Sequence, residues 1–302
     1  MNTCLLTNDI EETSIVNGGL RRETGIKVWK EGIPLLLDLY AEHEVCATFF
    51  FVANFAEKYP EMVRMVQRSG HEIACHGLTH DYKIAFDNMD LKQQINHLTK
   101  AKGILEDISG GEVVSFRAPA LRVNKFTPQA LIETGFKVDS SVAPQRADMF
   151  MTLGSRKKMV WLTAPRTPYY VASDSLARKG STNLVEVPIS SFIMPYIGTF
   201  MRVSPYITSM IRWCLYRETH NTNKVVNFLI HPNEVIYEED LHLKTQRRAD
   251  NYFSYLLSDV LRRKIKQKNL GLNALNLFER EILFWKNKHY EFIPVAAVKS
   301  SE

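Results

Sequence analysis

Two histidines four residues apart, in the segment HGLTH, offer the first candidate chemistry in this sequence. His76 and His80 have a spacing that lets two imidazole rings reach one metal ion. Near the start of the chain three carboxylates occupy four positions, at Asp9, Glu11 and Glu12. Alone, the acidic cluster would indicate a solvated turn and the histidines an ordinary loop. Together they predict a site for one divalent metal ion, because crowded acids need a cation and two histidines with one carboxylate form a recurring zinc set.

The elements that carry these residues alternate between strand-like and helix-like patterns. Short β-rich apolar runs such as CATFFFVA alternate with helical patterns such as KVWKEGIPLLLDLYAEHE. Repeated β-α units imply buried parallel strands, and a barrel of such units places function on the loops after the strands. Six ionisable residues end the predicted strands: Asp9, Glu11, His76, Arg117, Asp139 and His231. We therefore expect an α/β fold with these side chains at one rim.

A third histidine, His71 in GHEIACH, resembles part of a zinc-protease motif. It lies five residues from His76, however, and on a strand the two side chains would face opposite sides. We therefore predict a structural role for His71, hydrogen-bonded within the sheet.

The composition is that of a globular protein. Of its 302 residues, 45% are hydrophobic and 24% are charged. No apolar run approaches the length of a membrane span, and the first predicted strand begins so close to Met1 that we expect no signal peptide. The four cysteines lack CxxC spacing, which predicts reduced thiols in the cytoplasm. The net charge of +5 comes with no nucleic-acid motif, so we expect no nucleic-acid partner.

Five motifs in order, LTNDIE, TFFFVA, GHEIACHGLTH, SFRAPALRV and LIHP, resemble the polysaccharide deacetylases of the NodB-homology family, carbohydrate esterase family four. GHEIACHGLTH is the most specific of them. The resemblance runs from the first strand to His231 and implies a distorted (β/α) barrel. It implies a single catalytic domain over residues 1–302, with a core over about residues 1–240 and C-terminal helical and strand elements over residues 241–302.

The resemblance also implies roles for individual residues. It implies one divalent metal ion, with zinc as the expected metal and cobalt, nickel or manganese as alternatives. The ligands that it implies are Glu11, His76 and His80. The catalytic residues that it implies are Asp9 as base, His231 as acid, Arg117 as the residue that orients and tunes the base, and Asp139 as a supporting polar residue.

The first motif departs from the common family pattern Thr-Phe-Asp-Asp-Gly. Here the acids are spaced Asp9-Ile10-Glu11, which resembles a family branch with an Asp-x-Asp or Asp-x-Glu arrangement. Glu12 is an alternative ligand, and an alternative register would place Asn8 at the base and make the enzyme inactive. We favour Asp9 because Asp9 and Glu11 would share a face of the strand end.

The activity implied by the resemblance is metal-dependent removal of N-acetyl groups from an amino-sugar-containing saccharide or glycan precursor. In the cytoplasm a nucleotide-linked or lipid-linked sugar is the expected partner. Three alternatives are deformylation of a lipid-linked amino sugar, hydrolysis of a cyclic amide by a metal-independent relative, and a catalytically inactive carbohydrate-binding module.

Other residues are candidates for binding the substrate or a membrane. Trp161 and Tyr169 lie between strands and are candidates for stacking on a sugar ring, and Pro119 of SFRAP is a third substrate-binding candidate. The segment RVSPYITSMIRWCLYRE mixes large apolar residues with arginines. It predicts either a packed core element or a peripheral contact with an anionic membrane at its inner face, as does the basic run RRKIKQK.

Overall fold

The computed structural model describes most of the chain. The described residues are 2–16, 18–81, 84–144, 161–222, 224–238 and 262–299. The strands among them are mostly short. In chain order they are β1 (Thr3–Ile10), β2 (Thr48–Phe51), β3 (Glu72–Cys75), β4 (Ser115–Phe116), β5 (Val138–Asp139), β6 (Tyr169–Ala172), β7 (Ser175–Lys179), β8 (Val185–Glu186), β9 (Ser191–Phe192), β10 (Met194–Pro195), β11 (Val225–Ile230) and β12 (Glu291–Phe292).

Helices occupy the connections between most of these strands. In chain order they are α1 (Arg22–Lys27), α2 (Ile33–Glu42), α3 (Ala53–Lys58), α4 (Pro60–Arg68), α5 (Leu91–Ser109), α6 (Thr127–Glu133), α7 (Gly198–Val203), α8 (Pro205–Thr219), α9 (Arg262–Lys266) and α10 (Leu272–Asn287). The longest, α5, begins with a capping box between Asp90 and Gln93 and ends at Gly110 in the left-handed region. Among the described residues, no helix combines the length and apolar character needed to span a bilayer.

The main sheet is a distorted (β/α) barrel, as the sequence predicts. Seven strands pair in parallel in the order β11-β1-β2-β3-β4-β5-β8, and the antiparallel strands β6 and β7 follow β8. The segment after β8 closes the ring: the Ser190 N–H donates to the Asn227 carbonyl at 3.0 Å. The Asn227 amide donates to the carbonyls of Val187 and Pro188, at 3.2 Å each. Irregular contacts therefore replace a regular strand pairing at this point.

An apolar cluster fills the barrel interior toward the amino-terminal ends of the strands. The interior cluster consists of Leu5, Phe50, Ala74, Val138, Val185, Val187, Val295 and Val298. Its last two members come from the C-terminal segment, where the Val295 N–H donates to Thr48 Oγ1 at the start of β2, at 2.9 Å. A larger apolar cluster lies between the sheet and the surrounding helices.

The C-terminal segment, residues 262–299, packs onto the barrel. Strand β12 pairs with the start of β1, and α10 packs against α2 and α7. The predicted C-terminal helical and strand elements are therefore present over residues 262–299, whereas residues 239–261, with the basic run KTQRRAD, lie outside the described residues. The single-domain organisation stays a prediction.

Candidate active site

Alternate residues of β1 form a column inside the barrel that changes from apolar to charged. Leu5 belongs to the interior cluster, Thr7 donates from Oγ1 to the Phe228 carbonyl at 2.9 Å, and Asp9 is 3% exposed at the rim. Glu11 follows Asp9 by two residues, just past the end of β1. Because side chains in a strand alternate between its faces, the two carboxylates share one face.

Asn8, the alternative base, and Glu12, the alternative metal ligand, contact other residues. Asn8 faces the helix layer, where its Oδ1 accepts from the Tyr40 hydroxyl at 2.7 Å and its Nδ2 donates to the Thr48 carbonyl at 3.2 Å. The Glu12 carboxylate lies 3.5 Å from Lys58 Nζ. The alternative register, with an amide at the base position, therefore does not match the structure.

Arg117 is fully buried and holds the Asp9 carboxylate in an ion pair. Its Nη1 lies 2.8 Å from Asp9 Oδ1, and its Nη2 donates to Thr7 Oγ1 at 3.1 Å and to Ser140 Oγ at 2.8 Å. The guanidinium carbon lies 4.3 Å from the centroid of the Phe50 ring. Burial alone would raise the pKa of Asp9, but Arg117 and then two histidines hold that pKa below its usual value. Asp9 is therefore ionised at neutral pH.

Glu11, His76 and His80 form a buried group whose ligand atoms lie within 4.8 Å of one another. His80 Nε2 lies 2.7 Å from Glu11 Oε2. His76 Nδ1 is 2.9 Å from the Arg117 carbonyl, an acceptor, so the ring nitrogen that carries the proton is Nδ1. This leaves the Nε2 lone pair free on the site side, the arrangement by which a carbonyl orients a metal-binding histidine. The donor set fits a divalent cation such as zinc.

The electrostatics of the same three residues also fit a cation. Burial lowers the pKa of His76 to about 4, which keeps the ring neutral and able to bind a metal. Burial opposes ionisation of Glu11, but His80 lowers the pKa of that carboxyl to about 2. Burial likewise opposes protonation of His80, and Glu11 overcomes it and raises the pKa of His80. The field that attracts this proton would also attract a cation in its place.

His231 faces Asp9 from the opposite side of the site. Its Nε2 lies 3.9 Å from Asp9 Oδ2, and its Nδ1 lies 3.1 Å from Glu234 Oε1. With 26% of its side chain exposed, against 4% for Asp9, His231 is the solvent-facing member of the pair. Burial lowers the pKa of His231, but the hydrogen bond to Glu234 and the nearby carboxylates raise it to about 9. The ring is therefore an imidazolium at neutral pH and can donate a proton.

Asp139 lies behind Arg117. Its carboxylate accepts from Ser141 N–H at 3.2 Å and from Ser141 Oγ at 2.7 Å. The adjacent Ser140 accepts from Arg117, so Asp139 shapes the loop that holds the guanidinium. Burial raises the pKa of Asp139, and burial together with Asp139 raises that of Glu186 beside it. The supporting role of Asp139 stays a prediction.

The three predicted substrate-binding residues have different surroundings. Trp161 and Tyr169 are 2% and 1% exposed, and the Tyr169 hydroxyl donates to the Leu176 carbonyl at 2.5 Å. Neither ring has a free face, so stacking on a sugar at these positions has no support in the structure. Pro119 lines a groove beside His80 and stays a substrate-binding prediction.

Glu234, absent from the sequence-based candidates, contacts His231 directly. The signal in the sequence was its position three residues after His231 in HPNE. The structural role predicted for His71 is confirmed, because its Nδ1 accepts from the Ala47 N–H at 3.3 Å.

Part of this site lies in a segment that matches a known protein family. Residues 25–138, which include both histidines of HGLTH and Arg117, match the family model described as polysaccharide deacetylase. By this match the chain is similar to the polysaccharide deacetylase family. This similarity agrees with the resemblance in the sequence, whereas Asp9, Glu11 and His231 lie outside the matched residues.

Curated relatives match part of this chain. A peptidoglycan deacetylase of Helicobacter pylori is 31% identical over 118 residues, which cover 39% of this chain and 39% of the relative. A chitooligosaccharide deacetylase of Sinorhizobium fredii is 37% identical over 68 residues, which cover 22% of this chain and 32% of the relative. Each alignment thus spans well under half of the relative's length.

Solved structures show the same fold over nearly the whole chain. A probable polysaccharide deacetylase from Pseudomonas aeruginosa superposes with a TM-score of 0.63 at 17% identity, covering 98% of this chain and 89% of that one. PuuE allantoinase superposes with a TM-score of 0.63 at 16% identity, covering 98% and 88%. These similarities establish the barrel fold, whereas the reaction has to be inferred from the residues of the site.

Proposed function

We propose that this chain is a metal-dependent hydrolase that removes N-acetyl groups from an amino-sugar-containing saccharide or glycan precursor. The observation that carries the proposal is the position of Asp9. Its carboxylate lies between the Arg117 guanidinium and the imidazole of His231, and 3.8 Å from Nε2 of the metal-ligand candidate His76. A base, an acid and a metal-binding group therefore share one rim of the barrel.

Amide hydrolysis needs a proton acceptor for the attacking water and a proton donor for the departing amine. Asp9, ionised by Arg117, accepts the proton of the water. His231, protonated at neutral pH, donates its Nε2 proton to the leaving nitrogen, which would otherwise depart as an unstable amide anion.

A divalent cation held by Glu11, His76 and His80, when bound, would polarise the acyl oxygen and lower the pKa of a water molecule. Zinc suits two imidazoles and one carboxylate, and cobalt, nickel and manganese are alternatives. The His76 ring is neutral and oriented by a carbonyl, so it needs no rearrangement before binding, whereas the cation would displace the proton that His80 shares with Glu11.

Three other functions remain as alternatives to be tested. A deformylase of a lipid-linked amino sugar would use the same residues and differ only in the acyl group. The metal-independent hydrolysis of a cyclic amide is disfavoured by the presence of both histidine ligands. An inactive carbohydrate-binding module would need neither Asp9 in an ion pair nor an oriented His231.

The test is a panel of N-acetylated and N-formylated amino sugars, free, nucleotide-linked and lipid-linked, assayed for release of acetate or formate with and without added zinc. We expect acetate release that requires the metal. Release of formate alone would favour the deformylase, and no release from any member would contradict the proposal.

The variant Asp9→Asn separates the base from the metal site. It should keep the metal and lower turnover by about 10²–10⁴-fold, the usual worth of general-base help. The control is Asp174→Asn, which changes a surface aspartate paired with Arg178 and should leave turnover unchanged. Near-normal turnover in Asp9→Asn would rule out the base assignment.

A further inference from the structure

A chain of buried polar contacts leads from His231 to the C-terminal segment. Glu234 Oε1 lies 3.1 Å from His231 Nδ1, and Glu234 Oε2 accepts from Arg202 Nε at 2.6 Å. Arg202 Nη1 donates to the carbonyls of Lys266 and Lys268, at 2.7 and 2.8 Å. The side chains of Arg202 and Glu234 are each 1% exposed. The predicted acid is thus connected through two buried charges to the end of α9 and the residues that follow it.

We propose that Glu234 is a positioning residue that keeps Nδ1 of His231 protonated and turns Nε2 toward Asp9, both in the imidazolium and, once the ring has lost its Nε2 proton, as the Nδ1–H tautomer. Arg202, held by the C-terminal segment, fixes Glu234. This proposal rests on the proposed function, because only a proton donor needs to present Nε2 to the leaving group. The arrangement itself is a property of the folded chain.

The carboxylate of Glu234 has its two oxygens committed to different partners. Arg202 occupies Oε2, so Oε1 is the atom that faces His231. An ionised carboxylate only accepts hydrogen bonds, so Nδ1 carries the proton when it bonds to Oε1. In the other tautomer the His231 side chain would accept from the Glu234 backbone N–H, the second contact of the capping box that these two residues form. The backbone N–H of His231 also points to Oε1, at a longer 3.4 Å.

Gly198 leaves room for this carboxylate. A Cβ atom at Gly198 would lie 2.8 Å from Oε1 and 2.9 Å from Oε2 of Glu234, closer than real contacts allow. The Gly271 N–H donates to the Glu234 backbone carbonyl at 3.0 Å, so the C-terminal segment holds the backbone as well. Gly198 therefore confines the side chain of Glu234, and Gly271 holds its backbone.

Stability alone gives a weak reason for this arrangement. The desolvation of two buried charges offsets most of their attraction, and apolar side chains of similar volume are often as stabilising. What a buried Arg–Glu pair supplies here is a fixed orientation of the carboxylate that faces the imidazole. The effect of losing the charge should therefore appear in the state of His231 as well as in the melting temperature.

The variant Glu234→Gln distinguishes positioning from packing because an amide has one acceptor and one donor end. Hydrogen bonds to a charged group contribute about 1.5–3 kcal/mol, against about 0.5–1.5 kcal/mol for neutral ones, so the amide oxygen should stay on Arg202. Its NH₂ group then faces His231 Nδ1, which must become an acceptor. We expect His231 to change to the Nε2–H tautomer.

The measurement is ¹⁵N NMR of histidine-labelled protein, with His231→Asn used to assign the signal. Burial lowers the pKa of His231, but the hydrogen bond to Glu234 and the nearby carboxylates raise it to about 9. Spectra are therefore recorded above this pKa, where the ring is neutral and has a single tautomeric proton. The wild type should show the Nδ1–H pattern and Glu234→Gln the Nε2–H pattern. The double variant Glu234→Gln with Arg202→Met should return to Nδ1–H, because the amide oxygen is then free to face the ring.

The matched control is Glu218→Gln, which changes a glutamate that also pairs with an arginine, Arg166, away from the site. It should leave the His231 signal unchanged. An Nε2–H pattern in the wild type, which needs no variant to fold, would overturn the inference. So would an unchanged Nδ1–H pattern in folded Glu234→Gln.

Kinetics give a second readout. Glu234→Gln should lower kcat by about 10²–10⁴-fold, with the larger losses for poorer leaving groups, and leave KM nearly unchanged. Equal losses for all leaving groups would contradict a role through His231. If the wild type releases no acyl group from any sugar but has the expected tautomers, the proposed function fails and the positioning of His231 stands.

Discussion

Replacing Arg117 by methionine removes the charge that keeps Asp9 ionised and preserves most of the volume. The guanidinium is fully buried and hydrogen-bonds to Asp9, Thr7 and Ser140. In the variant, the carboxylate keeps its desolvation and loses the largest interaction that opposes it. The pKa of Asp9 should therefore rise, and the ionised fraction at neutral pH should fall.

The cost to stability follows from the same contacts. Removing one partner of a buried ion pair costs about 3–5 kcal/mol, out of a typical total of about 5–15 kcal/mol. With an unfolding entropy of about 2.1 cal/mol/K per residue, this corresponds to a fall in Tm of about 5–8 °C for a chain of this length. The variant should therefore fold at 25 °C, which allows its kinetics to be measured.

The assay is the pH profile of kcat/KM. An aspartate whose folded pKa is depressed is active above that pKa and loses its function as the pH falls through it. In Arg117→Met the acid limb should move to higher pH, and turnover at neutral pH should fall by about 10²–10⁴-fold if Asp9 becomes largely protonated. Arg117→Lys keeps a charge but loses the planar fork, and its limb should lie between those of the wild type and Arg117→Met.

The control is Arg166→Met. Arg166 also pairs with a carboxylate, Glu218, donates to a carbonyl, that of Ser191, and lies 5.7 Å from the centroid of the Phe192 ring. It should lose stability and leave the acid limb in place. An unchanged limb in folded Arg117→Met would refute the assignment of Arg117 as the residue that tunes the base.

Three further outcomes follow from the structure. Alanine at either histidine of HGLTH should abolish stoichiometric metal in elemental analysis, and metal that survives replacement of both would contradict the site. Gly77→Ala should destabilise more than Gly135→Ala in thermal melts: both glycines have positive φ, but only a Cβ at Gly77 would lie 2.9 Å from Pro119. The predicted membrane contact should appear as salt-sensitive co-sedimentation with anionic but not neutral liposomes. Trp213 on α8 is 56% exposed, and Trp213→Ser should reduce this binding. Absence of binding to both kinds of liposome would contradict the membrane contact.

The order of motifs and the periodicity of β1 were sufficient to predict the barrel, the rim that carries the site and the shared face of Asp9 and Glu11. A strand places alternate side chains on one face whatever lies around it, and parallel strands bring their carboxyl ends together. These rules act over a few residues or follow from the fold class, so a single sequence carries them. They also predicted that His71 would face away from His76.

Other features depended on contacts between distant segments. Arg117 meets Asp9 across 108 positions of the chain, and the pairing of Asn8 with Tyr40 spans 32. The sequence left Glu12 and Asn8 open because their partners come from other elements. It likewise placed two buried aromatic side chains, Trp161 and Tyr169, among the candidates for sugar stacking. The sequence shows that an aromatic ring is present, but it does not show whether the ring faces the core or the solvent.

The partner of His231 is the clearest case of a decision made only by the tertiary structure. The residue three positions on, Glu234, was in view in the sequence, but whether it meets the imidazole depends on Arg202 and on the space left by Gly198. Arg202 in turn is held by carbonyls of the C-terminal segment. The sequence by itself determined which chemical groups would meet at the rim. Their orientation was decided by tertiary contacts, because a buried charge takes the position in which all its partners can be satisfied at once.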